Sequence, residues 1–371
     1  MPTIRKQTKQ KTKIVKKKQP KNRPTIWEGP EGTGLQGGVT QSLLNRWLCC
    51  RERFRLKVVE GLQPADTFSH ALEYGQMWHT CEEAFASGRS WVGELHKYTL
   101  SLCKKYKFQQ EQIQHWYNVC KTQFPIYIEY WSKHPDVKSR TPLFQEETFN
   151  VPYKLPSGRT VHLRGKFDSV DIIGKGKSAG VYLQENKTKG QVNEQQLRTQ
   201  LGFDLQTMIY LSALNYIPAK RLKEKPILGI RYNVIRRPLS GGKGSIRKHK
   251  PTKANPTGET DEQYYARLAE IIEEDPSSYF MRWKVEVTSA DLKKFQDEFL
   301  NNVLEELCDW WNWISSPAGR KNPFDDPIHF RLPYGIYNVI AEGGSSDLDE
   351  YLATKSEIGL TRNNQLFGEL I

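Results

Sequence analysis

Four short stretches carry residue types able to do chemistry, and they follow one another in order along the chain. His79 lies in the helical-looking run YGQMWHTCEEAF, and Asp168 closes Gly165-Lys166-Phe167-Asp168 at the end of a strand-like run. Glu185-Asn186-Lys187-Thr188 ends the next such run, and Gln206 and Tyr210 stand four apart on the helix after it. Two carboxylates on hairpin-connected strands repel unless a proton or a cation sits between them. Hard oxygen ligands of this kind suit Mg²⁺ or Mn²⁺, and a neutral His79 imidazole would tilt the preference toward Mn²⁺. Lys187, two residues after Glu185, points to the same face of its strand. An ammonium beside a metal-held water can orient that water, help deprotonate it, or offset negative charge at a phosphorane-like transition state. Gln206 and Tyr210 share a helix face and can hydrogen-bond a nucleotide or hold Lys187 in position. Each signal alone is weak, since a Glu-x-Lys on a strand is usually a solvated charge pair and a helical His a packing residue. Their order and context together carry the reading.

The elements that must position these residues can be read from periodicity and turn chemistry. Helices are expected over 40–60, 68–86, 91–106 and 109–133. Apolar positions Leu43, Leu44, Trp47, Leu48, Phe54 and Leu56 mark the first, and Leu72, Met77 and Phe85 are buried candidates of the second. The fourth carries Trp116, Tyr117, Phe124, Tyr127, Tyr130 and Trp131, a stripe that reads as core before it reads as a stacking platform. Strands follow at 144–154, 160–173 and 180–187, an antiparallel meander joined by Gly- and Pro-rich turns. A helix at 194–216 and a strand at 226–235 imply a crossover and hence a mixed sheet, an α/β fold. A helix at 260–274, a strand at 280–287 and a long helix at 290–314 complete the pattern, with Trp310, Trp311 and Trp313 as packing residues. Residues 25–38 read as a Gly-rich linker; EGPEGTGLQGG is not followed by Gly-Lys-Ser/Thr, so it is no phosphate-binding P-loop. Residues 39–371 are expected to form one domain: a helical part (39–137), a catalytic core (143–235), a basic flexible loop (236–258), a helix–strand–helix unit (260–314) and an irregular tail (315–371).

Composition narrows the partners. The chain has 371 residues, 37% hydrophobic and 11% aromatic, which supports a real core and excludes wholesale disorder. Its net charge is +13, but residues 1–24 hold ten Lys/Arg and no acid, and the run Arg236 to Lys253 holds seven more. The charge therefore sits in two segments suited to phosphate contacts, with a solvated tail as the plain alternative. No apolar run of membrane-spanning length and no secretory leader is present, and 6 cysteines without repeated spacing point to a reducing, cytoplasmic setting.

With these residues in view, the chain resembles the PD-(D/E)XK nuclease superfamily, in particular the branch typified by the RecB-type nuclease domain. In that branch a helical His precedes a Gly-x-x-Asp strand, a D/E-x-K strand and a Gln-x-x-x-Tyr helix. VTQSLLNRWLCCRERF (39–54) is similar to the branch's first helix, and YFMRWKVEVTSADLKKF (279–295) to a late strand and helix of phage members. The resemblance implies a restriction-endonuclease-like core, with a mixed central sheet flanked by helices, an N-terminal helical subdomain and a long C-terminal helix. By position it implies His79, Asp168 and Glu185 as metal ligands, with the Asn186 backbone carbonyl as a further one. Lys187 would be the catalytic lysine, and Gln206 and Tyr210 the supporting motif. Glu82 and Glu83, one turn beyond His79, could reach the metal through water, although solvated surface acids are the simpler reading. Some branch members bind a [4Fe–4S] cluster through one early and three late cysteines; here only Cys308 lies late, so no cluster is expected. No nucleotide cofactor is expected either. The activity implied is metal-dependent DNA hydrolysis, most simply by an exonuclease in processing, recombination or replication, in a bacterial cytoplasm or, for a phage protein, its host's. Any unwinding would come from a helicase or recombination partner. A structure-specific endonuclease, a non-cutting DNA-binding or assembly module, and an RNA-binding protein are the alternatives.

Overall fold

A computed structural model describes residues 25–64, 67–190, 193–202, 204–238, 246–253, 255–316 and 360–370. The basic arm 1–24 and the centre of the basic loop lie outside the described residues. The chain enters through a two-residue strand β1 (Val39–Thr40) and helix α1 (Gln41–Cys49), whose N-terminus is capped by Thr40 Oγ1 accepting from the Leu43 N–H. Helix α2 (Arg51–Phe54) runs into a π-helical turn over Arg55–Val59, and strand β2 (Leu62–Pro64) follows. The single expected helix is thus interrupted at Cys50, whose backbone is extended.

Three helices build the helical part: α3 (His70–Ala86), α4 (Trp91–Lys105) and α5 (Gln110–Ser132), with the short α6 (Pro135–Lys138) after them. Tyr74, Met77, Trp78, Cys81 and Ala84 form the buried face of α3. Two expected core positions are corrected: Leu72 and Phe85 are exposed, as is Leu48 on α1, because they fall off the buried stripe. The aromatic residues of α5 do pack, with Trp116, Phe124, Tyr127 and Trp131 buried. Each large apolar side chain removed from water in this way contributes roughly 1.5–3 kcal/mol.

Strands β3 (Arg140–Lys154), β4 (Thr160–Ile173) and β5 (Gly180–Lys189) form the antiparallel meander. Helices α7 (Glu194–Leu201) and α8 (Leu205–Leu214) replace the one helix expected at 194–216. The break falls where Asp204 turns extended and caps α8 by accepting from the Thr207 N–H, which starts a new helix. The crossover then delivers β6 (Ile227–Arg236) parallel to β5, and α9 (Asp261–Glu274) leads to β7 (Phe280–Glu286), antiparallel to β6. Helix α10 (Ser289–Phe295) continues through a π turn at Gln296–Leu300 into α11 (Asn301–Ser315). Strand β8 (Leu360–Arg362) pairs antiparallel with β2, so the tail expected to be irregular includes an ordered return.

The main sheet is six-stranded and mixed, in the order β1-β4-β5-β6-β7 with β3 on the other edge of β4. Helices α1, α8 and α11 share one hydrophobic core with the sheet, and α3, α4, α5 and α9 share a second. β4 is the key strand. Along one edge, β1 pairs with Leu163 and Arg164 while β5 pairs only from Ser169 onward. Residues 165–168 therefore pair with neither, and β5 diverges from β4 at the position of Asp168. The expected linker at 28–38 is a pinned turn: Arg164 donates to the carbonyls of Leu35 and Gly37 at 2.9 and 3.0 Å, and buried Trp27 Nε1 donates to the Gly38 carbonyl at 2.9 Å.

Candidate active site

The divergence of β4 and β5 gathers the acids. Asp168 is buried, and its Oδ2 accepts the Asn186 N–H of β5 at 2.8 Å, a bond that bridges the gap where the ladder stops. Its Oδ1 lies 3.7 Å from Nδ1 of His79, which α3 brings over the sheet. Glu146 on β3 completes this cluster, with Oε1 3.6 Å from the same His79 nitrogen. One ligand atom from each of His79, Glu146 and Asp168 falls within 4.8 Å of the others, so these three can hold one metal ion.

Glu146 was not among the residues singled out by sequence. It sits opposite Asp168, between the cross-strand pairs Gln145–Ser169 and Glu147–Phe167, in a left-handed backbone conformation with φ +49°. A non-glycine residue rarely adopts that conformation, and it occurs at functional sites. Its other oxygen takes the Lys166 ammonium at 2.7 Å. The signal available beforehand was the doublet Glu146-Glu147 on the strand hairpinned to the Asp168 strand; Glu147 instead pairs outward with Arg221 at 2.7 Å.

Glu185 and Lys187 share a face of β5, as their spacing requires. Lys187 Nζ donates to Glu185 Oε1 at 2.7 Å and to Gln206 Oε1 at 2.8 Å, while Gln206 Nε2 returns to Glu185 Oε1 at 2.8 Å. This closed triangle fixes the ammonium. Glu185 Oε2 and Glu146 Oε1 are buried without a hydrogen-bond partner. Buried carboxylate oxygens of that kind need a cation or a proton, so the residues present fit a divalent metal.

The electrostatics agree. Burial, then the charge of Asp168, pushes Glu185 up to about 7, and burial also raises Asp168. Burial opposes charge on His79, but Asp168 and Glu146 outweigh it and push the imidazole up to about 10. The cluster draws positive charge to its centre; a divalent ion, if bound, would supply that charge in place of the proton and leave His79 neutral.

Tyr210 is buried behind this group. Its ring packs edge-on against Phe149 and Phe167 at 5.2 and 5.7 Å, and its hydroxyl faces the Lys166 backbone and Gln206. It therefore braces Gln206. Gly165 makes that packing possible, since a Cβ there would lie 2.6 Å from Phe149 Cζ and 2.9 Å from Tyr210 Cε1. Of the two acids after His79, Glu83 is partly exposed and pairs with Arg89 at 2.7 Å. Glu82 is not a solvated acid, a correction: it is buried, accepting from Tyr127 Oη at 2.5 Å and from Asn233 Nδ2 at 3.2 Å. The Asn186 side-chain oxygen accepts from Asn233 at 2.9 Å and belongs to the same network. Of the cysteines, Cys50 is buried and Cys49 exposed.

A mixed sheet whose strands splay around a His–Glu–Asp cluster, with a lysine two residues past a further glutamate, defines a candidate phosphodiester-hydrolysing centre. The model of the PD-(D/E)XK nuclease superfamily matches residues 39–309, and the chain belongs to that superfamily. No curated protein matches it. Among the described residues no helix is long and apolar enough to cross a membrane.

Proposed function

We propose that the chain is a Mg²⁺- or Mn²⁺-dependent deoxyribonuclease of the RecB-type branch, acting as an exonuclease in DNA processing, recombination or replication. The observation that supports this best is the juxtaposition of the His79–Glu146–Asp168 cluster with a Lys187 ammonium clamped by Glu185 and Gln206. His79, Glu146, Asp168 and Glu185 would hold the ion, with the Asn186 carbonyl as a further ligand. A bound divalent ion would polarise the scissile phosphate and lower the pKa of an attacking water. Lys187 would orient that water and offset charge gathering on the phosphate. Glu185 keeps Lys187 charged: burial lowers the ammonium's pKa, but the carboxylate beside it outweighs this and raises it. Gln206 fixes the ammonium's direction, and Tyr210 fixes Gln206. The basic arm 1–24 and the loop 236–253 supply phosphate contacts, and a helicase or recombination partner would supply unwinding.

The test is incubation of end-labelled single- and double-stranded DNA with Mg²⁺ or Mn²⁺, wild type beside Lys187→Ala. Cleavage is expected to fall by roughly 10²–10³-fold in the variant, the scale of removing one transition-state electrostatic contact, with binding retained. Mononucleotide release from one end supports the exonuclease reading, and internal fragments an endonuclease. Intact DNA with both proteins would sink the nuclease reading.

A further inference from the structure

Each acid of the centre has one oxygen already committed. Lys166 Nζ holds Glu146 Oε2 at 2.7 Å, the Asn186 N–H holds Asp168 Oδ2 at 2.8 Å, and Lys187 Nζ and Gln206 Nε2 hold Glu185 Oε1 at 2.7 and 2.8 Å. One oxygen per acid is left: Glu146 Oε1, Asp168 Oδ1 and Glu185 Oε2. The first and last of these are buried without a hydrogen-bond partner, and the first two face Nδ1 of His79. The side chains thus offer four donor atoms, one from each residue. A Mg²⁺ ion takes about six ligands and commonly keeps several waters, so four donors are the share of one ion. Two-metal centres hold their ions roughly 3.5–4 Å apart, and a carboxylate between them gives an oxygen to each. None of these acids can do that without surrendering a bond it already makes. Among the described residues no other set of three His, Cys, Asp or Glu side chains lies close enough to hold an ion.

Of the three committed oxygens, that of Glu146 is the one a single side-chain substitution can release. The Asn186 N–H is backbone, and Lys187 shares its oxygen with Gln206. Lys166 precedes Asp168 by two residues on β4, so both stand on one face of the strand. We infer that the centre takes one divalent ion and that Lys166 keeps it to one. Lys166 is a positioning residue: it occupies the second oxygen of Glu146 and supplies the positive charge that a second ion would bring. Like charges held close together repel, so the ammonium also opposes a second cation. Lys166 on β4 and Lys187 on β5 are then two fixed positive charges beside a single ion.

The inference rests on the metal centre of the nuclease reading, but its test requires no cleavage. The full chain, freed of metal, is titrated with Mn²⁺ by calorimetry, and the bound manganese is followed by electron paramagnetic resonance. Wild type is expected to take up one equivalent, with the spectrum of an isolated ion. Lys166→Met keeps the length of the side chain and removes its charge; it should admit a second equivalent, with the spin-coupled signal of a manganese pair. Lys166→Arg keeps the charge and should stay at one. The Lys166 side chain is 35% exposed, so both variants keep the fold, checked by circular dichroism. Two equivalents in wild type, or a natively folded Lys166→Met that stays at one, would overturn the inference. A chain that takes one ion but leaves DNA intact sinks the nuclease reading alone; one that cuts DNA with two ions bound sinks the single-ion centre alone.

Discussion

At Gly165 one hydrogen atom in place of a methyl group decides whether Phe149 and Tyr210 can meet over β4. Gly165→Ala forces a Cβ to 2.6 Å from the Phe149 ring, and β4 is sheet backbone that cannot retreat freely. We expect a loss of about 1–3 kcal/mol, typical of overpacking, read as a lower urea midpoint with an unchanged slope. Activity should fall further than stability explains, because Tyr210 braces Gln206. Asp168, Glu185, Lys187, Gln206 and Tyr210 were legible in the sequence because strand period and helix period alone bring them to common faces. Glu146 was not: its direction depends on a left-handed residue following an irregularity between Pro142 and Phe144, and neither leaves a residue-type signature. Glu82 was misread because a carboxylate beside an identical neighbour reads as solvated, whereas its partners Tyr127 and Asn233 come from distant parts of the chain.

Among the elements, α8 holds Gln206 in its first turn, so the Asp204 cap positions the site. Asp204→Ala is expected to destabilise by about 0.5–2 kcal/mol, the usual loss of an N-cap, and to lower kcat by loosening the Gln206–Lys187 bond. Asp204→Asn, which can still cap, should restore most of both. Helix and strand spans were legible nearly throughout, because periodicity reports them; the break before α8 and the two-residue β1 were not, being fixed by a cap and by a tertiary pairing. The basic loop is more ordered than its composition suggests where it is described. Glu259 takes two bonds from Arg267 at 2.7 Å and the His249 N–H at 2.8 Å, and these hold its carboxyl down to about 2. A carboxylate lowered by folding stabilises above its unfolded value near 4.5 and loses that contribution as pH falls toward 2. Stability measured from pH 5 to 2 should therefore fall less steeply in Glu259→Gln than in wild type; equal slopes would show that the pinning contributes nothing.

At the scale of the whole molecule, residues from both ends of the described chain close over β4. Arg164 donates to the 34–37 turn, and its guanidinium lies 4.7 Å from the Phe367 ring, while β8 pairs with β2. Deleting residues 360–371 should lower Tm by several degrees without abolishing folding, because β2–β8 is a separate two-stranded sheet. An unchanged Tm would show that the return contributes nothing. Removing residues 1–24, with ten Lys/Arg, should flatten the slope of log affinity for DNA against log salt, the signature of lost phosphate contacts. The central claim is that His79, Glu146 and Asp168 form one divalent-metal centre. Calorimetric titration with Mn²⁺ tests it most directly: wild type should take up the ion, and Glu146→Gln and Asp168→Asn should each weaken uptake by roughly tenfold or more. No uptake by the folded wild type, or uptake indifferent to both substitutions, would contradict the account.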